Sequence, residues 1–187
     1  AMTRIIGHIL SGSLSEGFRM RLSPETALES IKTGKFVSIK SGNQTFFSLI
    51  TDLELAVTNP DILLFPPGDG DNLLKQILSR SDMYATAVIR PMLMLDANHE
   101  KKPVKTIPTH FCPVHEATRQ DVARIFGDED EPTKRYFNIG NLLDMNTPVC
   151  LDLDRLTERS NGIFGKTGTG KTFLTRLVLA GLIKQEK

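Results

Sequence analysis

The sequence predicts a mainly β N-terminal region with short helices, followed by a shorter α/β segment built on a phosphate-binding loop. Three observations carry this. Residues 3–95 hold a series of short apolar and alternating runs. Gly165-Lys166-Thr167-Gly168-Thr169-Gly170-Lys171-Thr172 fits G-x-x-x-x-G-K-[ST] at every fixed position. Between them, Asp128-Glu129-Asp130-Glu131-Pro132 is the sharpest composition shift in the chain. A length of 187 residues accommodates one domain or two small ones, at roughly 100–200 residues each.

Taken in order, Arg4–Leu10 and Gly17–Leu22 read as the first two strands and Phe36–Lys40 as the third. Ser41-Gly42-Asn43 supplies turn chemistry, because Gly and Asn tolerate positive φ. The fourth strand puts Leu49, Thr51, Leu53, Leu55 and Val57 on one face and Ser48, Asp52 and Glu54 on the other, a period of two that predicts one wet side. Asn59-Pro60 ends it. Asp71 is positioned to cap a short helix with a stripe of Leu73, Leu74, Ile77 and Leu78. Tyr84–Leu95 is apolar on both faces, and Pro91 within it predicts an edge, a bulge or a break. Thr118–Asp121 resembles a helix cap, followed by Val122, Ile125 and Phe126 at helical spacing and by Gly127 as a stop.

Four adjacent carboxylates before a proline pack poorly and suit an exposed connection. The expected organisation is therefore a β domain over 3–127, an acidic linker or loop over 128–138, and an α/β segment over 139–187. A solvated loop within one domain is the competing reading of the acidic stretch. Beyond it, Pro148–Leu153 and Asn161–Phe164 read as strands. Lys171–Lys184 reads as a helix that is apolar on most sides, which calls for more covering protein than this chain supplies.

The loop's residue types follow from its chemistry. Glycines let the backbone curl so that successive N–H groups point at phosphate oxygens, and the helix start adds its positive dipole end. Gly165, Lys166, Thr167, Gly168, Thr169, Gly170, Lys171 and Thr172 are the candidate nucleotide-binding residues. Lys171 is the candidate catalytic cation for the β- and γ-phosphates of ATP, and the Thr172 hydroxyl the candidate Mg²⁺ ligand. Hydrolysis also needs an acidic residue that holds Mg²⁺ through water, a residue that orients the attacking water and often an arginine. Only Phe173–Lys187 follow Thr172. Asp152 and Asp154 precede the loop, in the wrong order for the usual connectivity, so surface carboxylates are the favoured reading of both.

Ile139-Gly140, the run Thr147-Pro148-Val149-Cys150-Leu151-Asp152-Leu153-Asp154-Arg155-Leu156, and Gly162-Ile163-Phe164 leading into the loop together resemble the opening of a HerA-type ATPase of the HerA/FtsK superfamily. The resemblance implies an N-terminal HAS barrel, which the strand-rich residues 3–95 fit, leading into a truncated RecA-like motor. It further implies an ATP-driven translocase or helicase on double-stranded DNA, self-associated into a ring that is usually hexameric and partnered by a nuclease of NurA type. The chain is then expected to be an N-terminal fragment, inactive alone. The alternative is that the barrel is an interaction or scaffold module of a P-loop NTPase acting on a protein partner rather than on DNA.

Composition narrows this. With 23 Lys and Arg against 22 Asp and Glu the net charge is +1, which gives no global field for a polyanion. Two cysteines do not make a secreted disulfide scaffold, no apolar run reaches the ~18 residues of a membrane span, and the N-terminus has no signal pattern. The expected location is the cytoplasm, with no membrane partner. Ala1 ahead of Met2 reads as a cleavage scar. His110, Cys112 and His115, with Cys150 distant, do not make the paired spacing of a zinc site. Phe46 and Phe47 suggest a stacking platform for single-stranded nucleic acid, but adjacent strand residues face opposite ways, so at most one is core. Lys101, Lys102 and Lys105 form the nearest basic cluster, read as a solvated loop.

Overall fold

A computed structural model describes residues 4–58, 64, 68, 70–71, 73, 77, 83–98, 100–142 and 145–184. The chain divides into two compact units, residues 1–117 and 118–187.

The first unit is a closed antiparallel barrel. Its strands are β1 (Ile5–Ser13), β2 (Gly17–Leu22), β3 (Phe36–Ser41), β4 (Gln44–Val57), β5 (Met83–Leu95), the short β6 (Lys101–Lys102) and β7 (Pro113–Glu116). The pairing order β2-β1-β7-β3-β4-β5 closes on itself through β2–β5, and β6 is added along the end of β5. Closure gives each ring strand two partners, and the interior fills with the inward side chains of all six, among them Ile6, Phe18, Met20, Ile39, Phe46 and Ile89. The β3–β4 turn has Gly42 at φ +57 between the paired Ser41 and Gln44, the conformation a two-residue hairpin requires.

Bulges change which residues of the long strands face inward. In β4, Phe46 and Ile50 lie in the core. Pairing then steps from Ile50 opposite Ile89 to Asp52 opposite Val88, so Thr51 is the inserted residue. A one-residue slip exchanges the faces. Leu49, opposite the exposed Arg90, therefore points outward, whereas Leu53 stands opposite the buried Ala87 and Leu55 opposite Ala85. The single face expected for Leu49, Thr51, Leu53, Leu55 and Val57 is thus split. Its distal part is also wet, with Leu53 37% and Leu55 84% exposed. The cause is geometric: β2 pairs with β5 only from Thr86 to Ile89, and among the described residues no second partner strand lies alongside β5 beyond Thr86. In β5 the anticipated irregularity is a bulge at Met92, where pairing skips from Leu93 to Pro91.

Phe46 and Phe47 are both buried, so neither is available as a stacking platform. Phe46 joins the interior cluster, while Phe47 stacks on Phe36 with centroids 5.0 Å apart. In the helix expected after Asp71, Leu74 and Leu78 lie outside the described residues; Leu73 and Ile77 are helical and exposed.

The second unit begins at Thr118, earlier than the boundary at 127 read from the sequence. Helix α1 (Arg119–Phe126) has a full capping box: the Asp121 N–H donates to Thr118 Oγ1 (3.1 Å) and the Thr118 N–H to the Asp121 carboxylate (2.8 Å). Gly127, at φ +85, ends it; a Cβ there would lie 2.3 Å from the Tyr136 ring. The helix packs on β9 (Pro148–Asp152), which pairs antiparallel with β8 (Tyr136–Asn141). The span 128–138 lies within the second unit. Glu129 Oε1 accepts from Asn138 N (3.3 Å), and 136–138 are part of β8 itself. Cys150 is buried beside this turn, and burial first, then the Glu129 carboxylate, pushes its thiol pKa up. Helix α2 (Leu153–Thr157) and helix α3 (Lys171–Lys184) complete the unit. Among the described residues no helix is long and apolar enough to cross a membrane.

Candidate phosphate-binding site

The site is the segment that leads into α3. Gly168 and Gly170 both take φ +84, a conformation side chains resist, and this coils the backbone directly into the first turn of the helix. Leu174 N donates to Gly170 O (3.0 Å) and starts the helical ladder. The N–H groups of that first turn have no intrahelical acceptor, which makes it a place for an anion. The Lys171 side chain folds back over the loop: its ammonium donates to the Lys166 carbonyl, and its Cγ and Cδ pass 3.6 and 3.7 Å from where a Gly165 Cβ would stand. Thr172 is exposed one residue into the helix. The eight sequence-predicted residues are thus brought together as one curl. The donor set fits a polyphosphate: backbone N–H groups and a lysine ammonium, and a space at Gly165 that a Cβ would fill, 2.8 Å from Thr169 Oγ1.

Residues 137–187 match the family described as "Helicase HerA, central domain". Over these residues the chain is similar to the HerA-type central domain. The closed six-strand barrel that precedes it is consistent with the N-terminal barrel of HerA-type proteins. The match suggests a P-loop ATPase of the HerA/FtsK kind, a group that generally uses ATP with Mg²⁺. No curated protein matches the chain.

Other parts of the HerA-type segment depart from the sequence expectation. Asn161–Phe164, expected as the strand before the loop, forms no strand. Such a strand belongs to a parallel sheet and needs neighbours on both sides. Phe164 is accordingly 93% exposed, and on α3 Phe173 (72%), Leu179 and Ile183 are exposed as well. The helix meets β8 where Gly181 lies so close to Phe137 that a Cβ would be 2.5 Å from its ring.

Asp152 and Asp154 do structural work. Asp152 caps α2 by accepting from Arg155 N (3.1 Å), and Asp154 pairs with Arg135 Nε (2.6 Å). In the barrel, Cys112 is buried with its Sγ 2.9 Å from Thr109 Oγ1. No group of three His, Cys, Asp or Glu side chains that could hold a metal occurs among the described residues. Sequence reasoning missed the Lys166 carbonyl, on which three donors meet. A backbone acceptor leaves no mark in a motif whose intervening positions are free.

Proposed function

We propose that the chain is the N-terminal part of an ATP-binding, ATP-hydrolysing DNA translocase of HerA type. The observation that supports this most is the curl itself, with two left-handed glycines aiming the N-terminus of a 14-residue helix and Lys171 laid across it. Gly165–Thr172 would hold the triphosphate, Lys171 would supply the mobile cation, and Thr172 the hydroxyl for Mg²⁺. The bound Mg²⁺ would neutralise charge on the phosphate oxygens. The bare apolar side chains of α3 call for the sheet of a complete central domain, so turnover belongs to the protein with that domain whole. Ring assembly, double-stranded DNA as substrate, a nuclease partner and a cytoplasmic setting are part of this reading by family likeness.

Lys171→Ala in the full-length protein, assayed for ATP binding by calorimetry and for phosphate release with saturating ATP and DNA, should bind weakly and release none. Wild-type turnover in that variant would end the proposal.

One observation favours the alternative, in which the barrel docks a protein partner. One member of the basic cluster is neutralised locally: Lys102 pairs with Asp96 and, at 3.7 Å, with Glu100. Phosphate release that double-stranded DNA fails to stimulate would select that alternative.

A further inference from the structure

We propose that Thr169 is a positioning residue for the phosphate loop, holding the curl closed when Lys171 transfers its ammonium to a polyphosphate. The inference rests on the nucleotide-site reading above and names a residue that the motif leaves free.

The Lys166 carbonyl receives three donors. Thr169 Oγ1 donates at 2.7 Å, the Thr169 N–H at 3.4 Å, and the Lys171 ammonium is the third. The N–H contact is longer than a good backbone hydrogen bond, so the hydroxyl is the stronger neutral tie across the loop. A carbonyl has two lone pairs, which the hydroxyl and the ammonium satisfy between them. Gly165 makes the arrangement possible, because a Cβ there would fall 2.8 Å from Thr169 Oγ1. Hydroxyl, glycine and lysine stem therefore meet around one acceptor.

Binding of a polyphosphate draws the ammonium away from that carbonyl. Thr169 Oγ1 does not compete for the ligand through this bond and stays on Lys166, so the curl keeps its shape while its cation moves. Without the hydroxyl, departure of the ammonium would leave the carbonyl with only the long Thr169 N–H contact and water.

The test uses the full-length protein, titrated with ATP and Mg²⁺ by calorimetry, as wild type, Thr169→Val, Thr169→Ser and Lys171→Ala. Thr169→Val keeps the branched shape and removes the donor. Loss of one neutral hydrogen bond predicts a Kd raised about fivefold, with KM for ATP rising alike. Thr169→Ser should restore binding to within about twofold, and the melting temperature should match wild type in both. Wild-type affinity in Thr169→Val, equal weakening in Thr169→Ser, or a lowered melting temperature in Thr169→Val overturns the assignment. The nucleotide reading survives those results if Lys171→Ala still loses binding. If wild type and Lys171→Ala bind alike, that reading falls and the role of Thr169 falls with it.

Discussion

The two units satisfy their backbones and apolar faces in opposite ways. In the barrel every ring strand has two partners, and the inward side chains of six strands cover one another. The second unit has one two-stranded ribbon, β8–β9, with α1 on one strand and α3 touching the other at Gly181. Two strands rarely suffice for independent stability. The barrel is complete in itself, whereas the phosphate loop sits at the end of an element whose apolar surface remains open to solvent.

Core substitutions probe this difference most strongly. Phe18→Ala in the barrel should cost about 4 kcal/mol in urea unfolding. Phe173→Ala on α3 should stay within about 0.5 kcal/mol. A Phe173 effect as large as that of Phe18 would mean that α3 is covered, and the contrast would collapse. Gly181→Ala should cost about 1–2 kcal/mol by pushing the Phe137 ring off α3. Hydrogen exchange should speed up in α3 and stay unchanged in the barrel strands; spread into the barrel would show one cooperative unit instead of two.

Thr86 tests a buried polar group in the barrel. Its hydroxyl, like that of Ser48, is buried with no hydrogen-bond partner among the described residues. Thr86→Val should therefore stabilise the barrel by about 1 kcal/mol, read from the denaturation midpoint. Destabilisation of that size would show that the hydroxyl has a partner.

The smallest effect expected is acid fraying of the β5–β6 turn. The Lys102 ammonium first, then the Glu100 N–H, holds the Asp96 pKa below 3.8. Asp96 Oδ1 also accepts from Asn98 N at 2.9 Å. A lowered folded-state pKa means the stabilisation is present above the ordinary carboxylate value and is lost as pH falls through the lowered one. Lys102 is the mirror case: its pKa is raised by Asp96, so its share is present below 10.5 and lost at more alkaline pH. Protection of the Asn98 and Glu100 amides against exchange should fall as pH drops through the lowered Asp96 value. The same rates in Asp96→Asn at neutral pH would contradict this.

What was legible in the sequence followed the same division. Gly17–Leu22 and Lys171–Lys184 have the observed bounds, because local alternation and helical spacing state them directly. The cap at Thr118 and the stop at Gly127 were legible for the same local reason. The inward face of β4 was not, since an inserted Thr51 is invisible to a period of two. Nor was the burial of both Phe46 and Phe47, which depends on Phe36 arriving from another strand. In the loop, glycines and Lys171 announced their chemistry, but the strand before them did not form, because its pattern states a requirement that neighbouring strands must meet. Glu129 of the acidic stretch accepts from the Asn138 N–H, a partner nine positions away that charge counting ignores.

Closure of the ring also sets the order and pace of folding. The β3–β4 hairpin joins Ser41 to Gln44 and can form on the microsecond scale, about 1–10 μs for such units. The last pairings cannot be so fast. Phe18 must find Ile89, and Ile5 must find His115 across almost the whole unit, so loop-closure entropy is spent before those contacts return anything. The barrel should thus fold in milliseconds to seconds, as sheets rich in distant pairings do. β7, the four-residue strand between β1 and β3, is then the natural final piece. Val114→Ala, buried at its centre, should speed unfolding in stopped-flow measurements while leaving the folding rate nearly unchanged.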